Sequence, residues 1–325
     1  MKNSARVLGI GGFAFAVWLF VLEDPTAIAR LLAAAGFGLV LAALCHIIPM
    51  ALNARAWQLL MSADNRPTLV AMTVAVWVRE SVNGLLPVAR IGGEIVSYRV
   101  LVGAGVPPSV SAAGLVVDMT LSVLSQMVFS IAGVLLLVRS ETNASLAWMI
   151  VRGLVALALL VAMFIIVQRG GLFAKIARVL GRMFSARFAT FVAHSEEADR
   201  VVREIYARSG AVVGCLLWQF AGWIAGSLSV WAAAFFLNRP ISALDAIAIE
   251  AVIQAVSSVA FVVPAALGVQ EGAFVVAGAA IGLDAPAALA LAAARRARDV
   301  IVFFPGLASW PLLERERRPG RHASR

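Results

Sequence analysis

Charge is scarce in this chain. Of its 325 residues 14% are Asp, Glu, Lys or Arg and 62% are hydrophobic, where a soluble domain carries about a quarter charged residues. That excludes one or two soluble domains and leaves an all-α polytopic membrane protein. Long polar stretches are missing too. The longest runs from about residue 169 to 208, too little for a soluble catalytic domain. Histidine occurs only at His46, His194 and His322, and nothing pairs any of them with a nucleophile. The two cysteines, Cys45 and Cys215, both lie inside apolar runs. With no C-x-x-C pair and no metal spacing they read as packing residues. No G-x-S-x-G, H-E-x-x-H or P-loop pattern occurs. The expectation is a non-enzyme with no metal and no cofactor.

What charge there is leans positive, at +9. The basic residues cluster in short segments between apolar runs, which is the positive-inside pattern rather than a nucleic-acid footprint. Anionic lipid headgroups are the partners such faces attract. The first apolar run, Val7 to Leu22, ends in Glu23-Asp24-Pro25 and not in a small-residue cleavage site, so it reads as an uncleaved first helix. Further apolar runs cover 29–51, 68–82, 95–106, 109–138, 146–167, 211–237, 243–263, 274–283 and 286–313. Residues 53 to 67, with Trp57, read as a cytoplasmic interface segment. The basic segment 169–209 has apolar residues at helical spacing, and two readings of it stay open: a helix lying on the membrane surface or a solvated cytoplasmic connector. The tail from 314 to 325 is basic and reads as disordered.

Two stretches break this apolar background. The first is Asn83-Gly-Leu-Leu-Pro-Val-Ala-Arg-Ile-Gly-Gly-Glu94; the second is Val263-Pro-Ala-Ala-Leu-Gly-Val-Gln-Glu-Gly272. In each a proline, Pro87 or Pro264, precedes by seven residues a glutamate, Glu94 or Glu271, with glycine between. Proline interrupts a helix, and an ionisable group at membrane depth is costly and usually functional. The flanking helices, 68–82 and 95–106, are shorter than the ~20 residues a crossing needs. If residues 68–106 and 243–284 each dip in and return, all the basic segments fall on one side. The chain then has about six full spans plus two oppositely oriented re-entrant hairpins in an inverted repeat, the halves covering about 29–138 and 211–313 of one integral-membrane domain, 1–313. Full crossings at each hairpin satisfy the charge rule equally well; the short helices and the breaks favour hairpins. Such motifs line a cavity near the midplane, and a polar cavity is expected where the two breaks meet.

The residues Asn83-Gly-Leu-Leu-Pro87, Arg90-Ile-Gly-Gly-Glu94, Val116-Val-Asp118, Gly268-Val-Gln-Glu-Gly272, Ala294-Arg-Arg-Ala-Arg298 and Phe304-Pro-Gly306 resemble the integral-membrane domain family of lysylphosphatidylglycerol synthetases. Within that family the chain is most similar to the branch called hopanoid-biosynthesis-associated membrane proteins. The resemblance spans roughly residues 5 to 313, without the soluble synthase domain. It implies a flippase-like role: moving or handling a lipid, a hopanoid or an anionic phospholipid, in a bacterial inner membrane with both termini cytoplasmic, alongside lipid-biosynthesis or lipid-export proteins. The family's second motif reads Pro-Gly-Gly, where this chain has Pro264-Ala265-Ala266.

The candidate transport residues follow from charge and backbone chemistry. Glu94 and Glu271 are the leading pair. Arg90 and one of Arg295, Arg296 and Arg298 are their expected partners, since guanidinium binds phosphate in a bidentate way. Asp118, Glu250, Gln254, Gln270, Asn83 and Arg99 complete the polar set, Glu250 and Gln254 sharing one helix face. Gly92, Gly93, Gly268, Gly272, Pro87 and Pro264 set backbone geometry. The same groups could instead be structural ion pairs. A non-catalytic membrane scaffold for a lipid-synthesis complex and an intramembrane lipid-linked transferase are the alternative functions.

Overall fold

A computed structural model describes residues 17–19, 21–86, 92–138, 188–259 and 266–316. Among these residues there are eleven α-helices and no strand. In chain order they are α1 (Pro25–Ala35), α2 (Gly38–Leu44), α3 (Ile47–Leu60), α4 (Leu69–Leu85), α5 (Gly92–Gly103), α6 (Pro108–Val138), α7 (Phe188–Ala207), α8 (Ser209–Phe236), α9 (Ala243–Val259), α10 (Val269–Ala280) and α11 (Ala285–Glu316). The polytopic membrane character expected from hydropathy is present. Residues 38–60 (α2 and α3 together), α6 as far as Leu137, and α8 are each long and apolar enough to cross a bilayer. Large apolar side chains stand at the surface, with Phe37, Val70 and Val276 about 70% exposed. In water such a surface would aggregate; in a bilayer it is solvated by lipid.

Local chemistry explains the boundaries. Asp24 caps α1: its carboxylate accepts from the Thr26 and Ala27 amides at 2.9 and 3.0 Å, with Pro25 at the first helical position. Both are preferred there, so the helix starts four residues before the apolar run at Ala29. The α2–α3 joint falls at Cys45-His46 because Pro49 has no amide hydrogen to give the Cys45 carbonyl, which accepts from Ile48 at 3.2 Å instead. The residues from Asn53 to Leu60 belong to α3. Trp57 is fully buried within the protein.

The dominant feature is a repeated helical triple. Helices α4, α5 and α6 have 17, 12 and 31 residues, and α9, α10 and α11 have 17, 12 and 32. Gly92 and Val269 open the middle helices and Pro108 and Ala285 the third ones, in both cases 177 positions apart (269 minus 92, 285 minus 108). The turn after the middle helix repeats atom for atom. Gly105 and Gly282 both have positive φ, +91° and +82°. Val106 donates to the Leu101 carbonyl at 3.1 Å, as Leu283 does to Gly278 at 2.9 Å. The triples pack reciprocally, α4 against α11 and α9 against α6, which is how two copies related by a two-fold meet. At 1.5 Å per residue, α5 and α10 are each about 18 Å long, well short of a hydrocarbon core of about 30 Å.

Each triple has its own apolar cluster. One gathers Trp57, Met72, Val78, Leu101, Val117 and Cys215; the other gathers Ile28, Leu237, Ile249, Phe274 and Leu289. Cys215 is fully buried within the first, as its sequence setting suggested. Close approach of α11 to α4 depends on Gly306, where a Cβ would overlap Ser81 and Trp77. Trp77 Nε1 there donates to the Val302 carbonyl at 2.7 Å. Helix α7 covers the second part of the basic segment. It buries Ala198, Val202 and Ile205 and packs on α6, while Arg200 stays exposed beside Glu197 and Glu204. This part lies on the protein. Residues 169–187 of the segment, and the tail beyond 316, lie outside the described residues.

Gly105→Ala and Gly282→Ala are each expected to cost about 1 kcal/mol, the strain of a left-handed residue bearing a Cβ. Nothing lies within 4 Å of either added Cβ, so the two costs should match. Thermal unfolding in detergent reads both; a large difference would mean the two turns are not equivalent.

Candidate functional site

Charge is buried at three adjoining places. The first joins α4, α5, α6 and α8. Arg79 donates to Asp118 Oδ2 at 2.9 Å, and Gln219 Nε2 donates to Asp118 Oδ1 at 2.8 Å. Asp118 is fully buried, so both its oxygens are satisfied away from water. The Arg79 guanidinium lies over the Trp57 ring, 5.1 Å from its centroid, a cation–π contact that also shields it. Glu94, in the first turn of α5, is only partly served. Asn83 Nδ2 donates to its Oε1 at 3.3 Å. Its Oε2 lies 3.8 Å from Arg79 and accepts no hydrogen bond among the described residues. Asn83 meanwhile accepts from the Gly93 amide at 2.9 Å. Glycine is required there because a Cβ would strike the Arg79 carbonyl and Asn83.

The second place is the counterpart in α9, α10 and α11. Arg295 donates to both oxygens of Glu250, at 2.6 and 3.4 Å, and Gln254 supports Glu250 at 2.7 Å. Asp118 and Arg295 hold the same position in the two triples and carry opposite charge. Each is neutralised by the first helix of its own triple, through Arg79 and Glu250. Glu271, 177 positions after Glu94, accepts from Arg296 Nε at 2.8 Å. Its Oε2 is buried without a donor among the described residues. Thus, among the described residues, both repeats leave one carboxylate oxygen without a hydrogen-bond donor at the same point in a half-length helix. Gln270 donates to Ser257 at 2.9 Å. Gly268 takes φ +77° just before α10, and Gly272 sits in its first turn, its amide donating to the Gly268 carbonyl at 3.0 Å.

The third place ties the other two together across α4 and α11. Arg298 holds Asp299 at 2.6 Å and reaches His46 Nδ1 at 3.5 Å, while His46 Nε2 faces Glu80 at 3.3 Å. With Nδ1 accepting from an arginine, the His46 proton belongs on Nε2, pointing at Glu80.

Most of the polar residues singled out in the sequence therefore fall in these clusters: Asn83, Gly93, Glu94 and Asp118 in the first, Glu250, Gln254, Gln270, Glu271, Arg295 and Arg296 in the second, Arg298 in the third. Gly92 opens α5. Arg99 is exposed on α5, outside the buried groups. Pro87, Arg90 and Pro264 lie outside the described residues, as do the breaks at 87–91 and 260–265 where a cavity was expected. The partner of Glu94 within the described set is Arg79, and that of Glu271 is Arg296. Sequence reasoning missed Arg79, Glu80, Gln219 and Asp299. Arg79-Glu80 was the available signal, a charged dipeptide inside an otherwise apolar helix.

Ala266, the last residue of Pro264-Ala265-Ala266, has φ +48°. Its carbonyl accepts from Arg296 at 3.5 Å. Ala266→Gly should remove strain of about 1–2 kcal/mol, offset in part by glycine's greater freedom when unfolded. A rise in unfolding temperature is expected; a fall would show that the alanine methyl packs usefully.

A family model described as "Lysylphosphatidylglycerol synthase TM region" matches residues 6–306 of this chain. No match was found among curated proteins or among solved structures.

Proposed function

The chain belongs to the lysylphosphatidylglycerol synthase TM region family, and from that premise we propose that it moves or handles a lipid across a bacterial inner membrane, without catalysing a reaction. A membrane-embedded, lipid-related role follows from the family; translocation is the finer reading. The observation that carries it is the equivalent pair Glu94 and Glu271. Each lies in the first turn of a helix too short to cross, and each keeps one buried oxygen without a hydrogen-bond donor among the described residues. A purely structural ion pair would use both oxygens, as Asp118 and Glu250 do. Groups left half-satisfied inside a membrane are suited to exchange partners as a polar headgroup passes. Arg79, Arg295, Arg296 and Arg298 supply the cations that favour a phosphate-bearing headgroup. Both termini are cytoplasmic in this reading and the two hairpins enter from opposite faces. A hopanoid or an anionic phospholipid is the substrate class, and lipid-biosynthesis or lipid-export proteins are the partners.

The test is the leaflet distribution of labelled lipids in proteoliposomes holding the full chain. Faster equilibration of an anionic phospholipid or hopanoid probe than in empty vesicles is the expected result. No acceleration with any probe would sink translocation and favour a scaffold role.

A further inference from the structure

His46 sits at the seam between the two helical triples. It lies at the joint of the crossing formed by residues 38–60. The α2 part of that crossing packs on α11 and the α3 part on α4. The ring therefore meets one triple at each nitrogen. Nε2 faces Glu80 of α4 at 3.3 Å, and Nδ1 faces Arg298 of α11 at 3.5 Å. Phe303 packs edge-on against the ring, the two centroids 5.6 Å apart, which limits its rotation. Asp299 stands behind Arg298, 2.6 Å from it. Helix α8 packs on both α2 and α3 and carries no charged residue. On α6, Asp118 is committed to Arg79 and Gln219, and Arg30 of α1 is exposed. Among the described residues, Glu80 and the Arg298–Asp299 pair are thus the charges that face His46.

The charge balance gives a proton a reason to bind here. Among the described residues the three buried clusters hold four arginines against six carboxylates. With His46 neutral they carry two negative charges in excess. Excess charge inside a membrane is costly, and a bound proton relieves part of it. Histidine is the side chain whose ordinary titration falls in the pH range of cells. Glu80 gives access, since its side chain is 25% exposed, the most open of the six carboxylates. With Nε2–H turned to Glu80, an incoming proton goes to Nδ1. There it meets the Arg298 guanidinium donor against donor. That contact is lost, while the bond to Glu80 gains a charge. One proton thus loosens His46 from the second triple and tightens it on the first. Inverted repeats move against each other as access alternates, so whatever sets their relative position also sets the affinity for this proton. We infer that His46 and Glu80 form a proton-binding site that couples proton flow across the membrane to lipid passage, one proton crossing for each lipid moved. The inference rests on the lipid-handling reading and adds an energy source to it.

Two measurements on the full chain test it. The first is NMR, in detergent, of the chain labelled at its histidine nitrogens. It follows three imidazoles, and the His46 signal is the one lost in His46→Gln. That ring should change protonation state over the pH range in which histidines titrate, and Glu80→Gln should displace the midpoint. A ring that keeps one state throughout, or a midpoint indifferent to Glu80, overturns the proton site. The second uses proteoliposomes with labelled phosphatidylglycerol equal in the two leaflets. A gradient of one pH unit is imposed, and the membrane potential is clamped at zero with potassium and valinomycin. One proton per lipid sustains a leaflet ratio of up to about tenfold per pH unit. A several-fold ratio above that of empty vesicles under the same gradient is expected, and it should vanish in His46→Gln. Should His46→Gln misfold or move no lipid, His194→Gln and His322→Gln assign the NMR signal by elimination and Glu80→Gln replaces it in the gradient. Vesicles that equilibrate the lipid but ignore the gradient, or a wild-type ratio in the variant, overturn the coupling and leave the transport reading standing. A His46 titration linked to Glu80 without any lipid movement removes the transport reading and leaves the proton site alone.

Discussion

Arg79→Met should cost about 3–5 kcal/mol of stability, the scale for stripping one partner from a buried ion pair. Arg79 is the cation that Asp118 and Glu94 share, at 2.9 and 3.8 Å. Without it Asp118 keeps only the Gln219 amide, and an acidic group is stranded at a fully buried site. Arg79→Met with Asp118→Leu should recover most of that loss, because a well-packed apolar pair of similar volume often equals a buried ion pair. The residue of the cost is the stranded Gln219 amide, about 1–3 kcal/mol. Denaturant or thermal unfolding in detergent, followed by tryptophan fluorescence, measures all three proteins. An unchanged midpoint for the single variant would mean that Arg79 does not hold the cluster together. The same logic, with the same signs, applies to Arg295→Met, which strands Glu250.

The architecture was largely legible because it depends on things a sequence displays. Apolar runs separated by turn chemistry marked the helices, and Pro87 to Glu94 and Pro264 to Glu271 showed the same spacing twice. Glu250 and Gln254, four residues apart on one helix, announced a bond found at 2.7 Å. The partners were harder. Asp118 and Arg295 stand at equivalent positions with opposite charges, so a search for matching residues in the two halves passes over them. Arg79 pairs with a residue 39 positions away and His46 with one 252 away. Such contacts are set by which helices pack, which no local pattern encodes.

Glu94→Gln separates transport from stability most sharply. The amide keeps the shape of the acid and retains Oε1 for the Asn83 donor. The atom it alters is Oε2, which no hydrogen bond in the described structure uses. Arg79 keeps Asp118 at 2.9 Å and loses only the Glu94 charge at 3.8 Å, so the loss of stability should stay well below the about 3–5 kcal/mol of Arg79→Met. Lipid translocation in proteoliposomes should fall about tenfold or more, the scale of one charge-assisted hydrogen bond made as the headgroup passes. Asp118→Asn supplies the contrast. Both Asp118 oxygens are already committed to Arg79 and Gln219, so its cost should appear in the unfolding midpoint first. Glu271→Gln should resemble Glu94→Gln in transport, with a small added loss of stability because Arg296, 26% exposed, loses its counter-charge while water or headgroups screen it. If both glutamine variants translocate lipid at the wild-type rate, the unpaired oxygens have no part in passage and the two glutamates are structural. If only one variant is impaired, the repeats have divided the work, and the charge reversal between Asp118 and Arg295 is the first place to look for the reason.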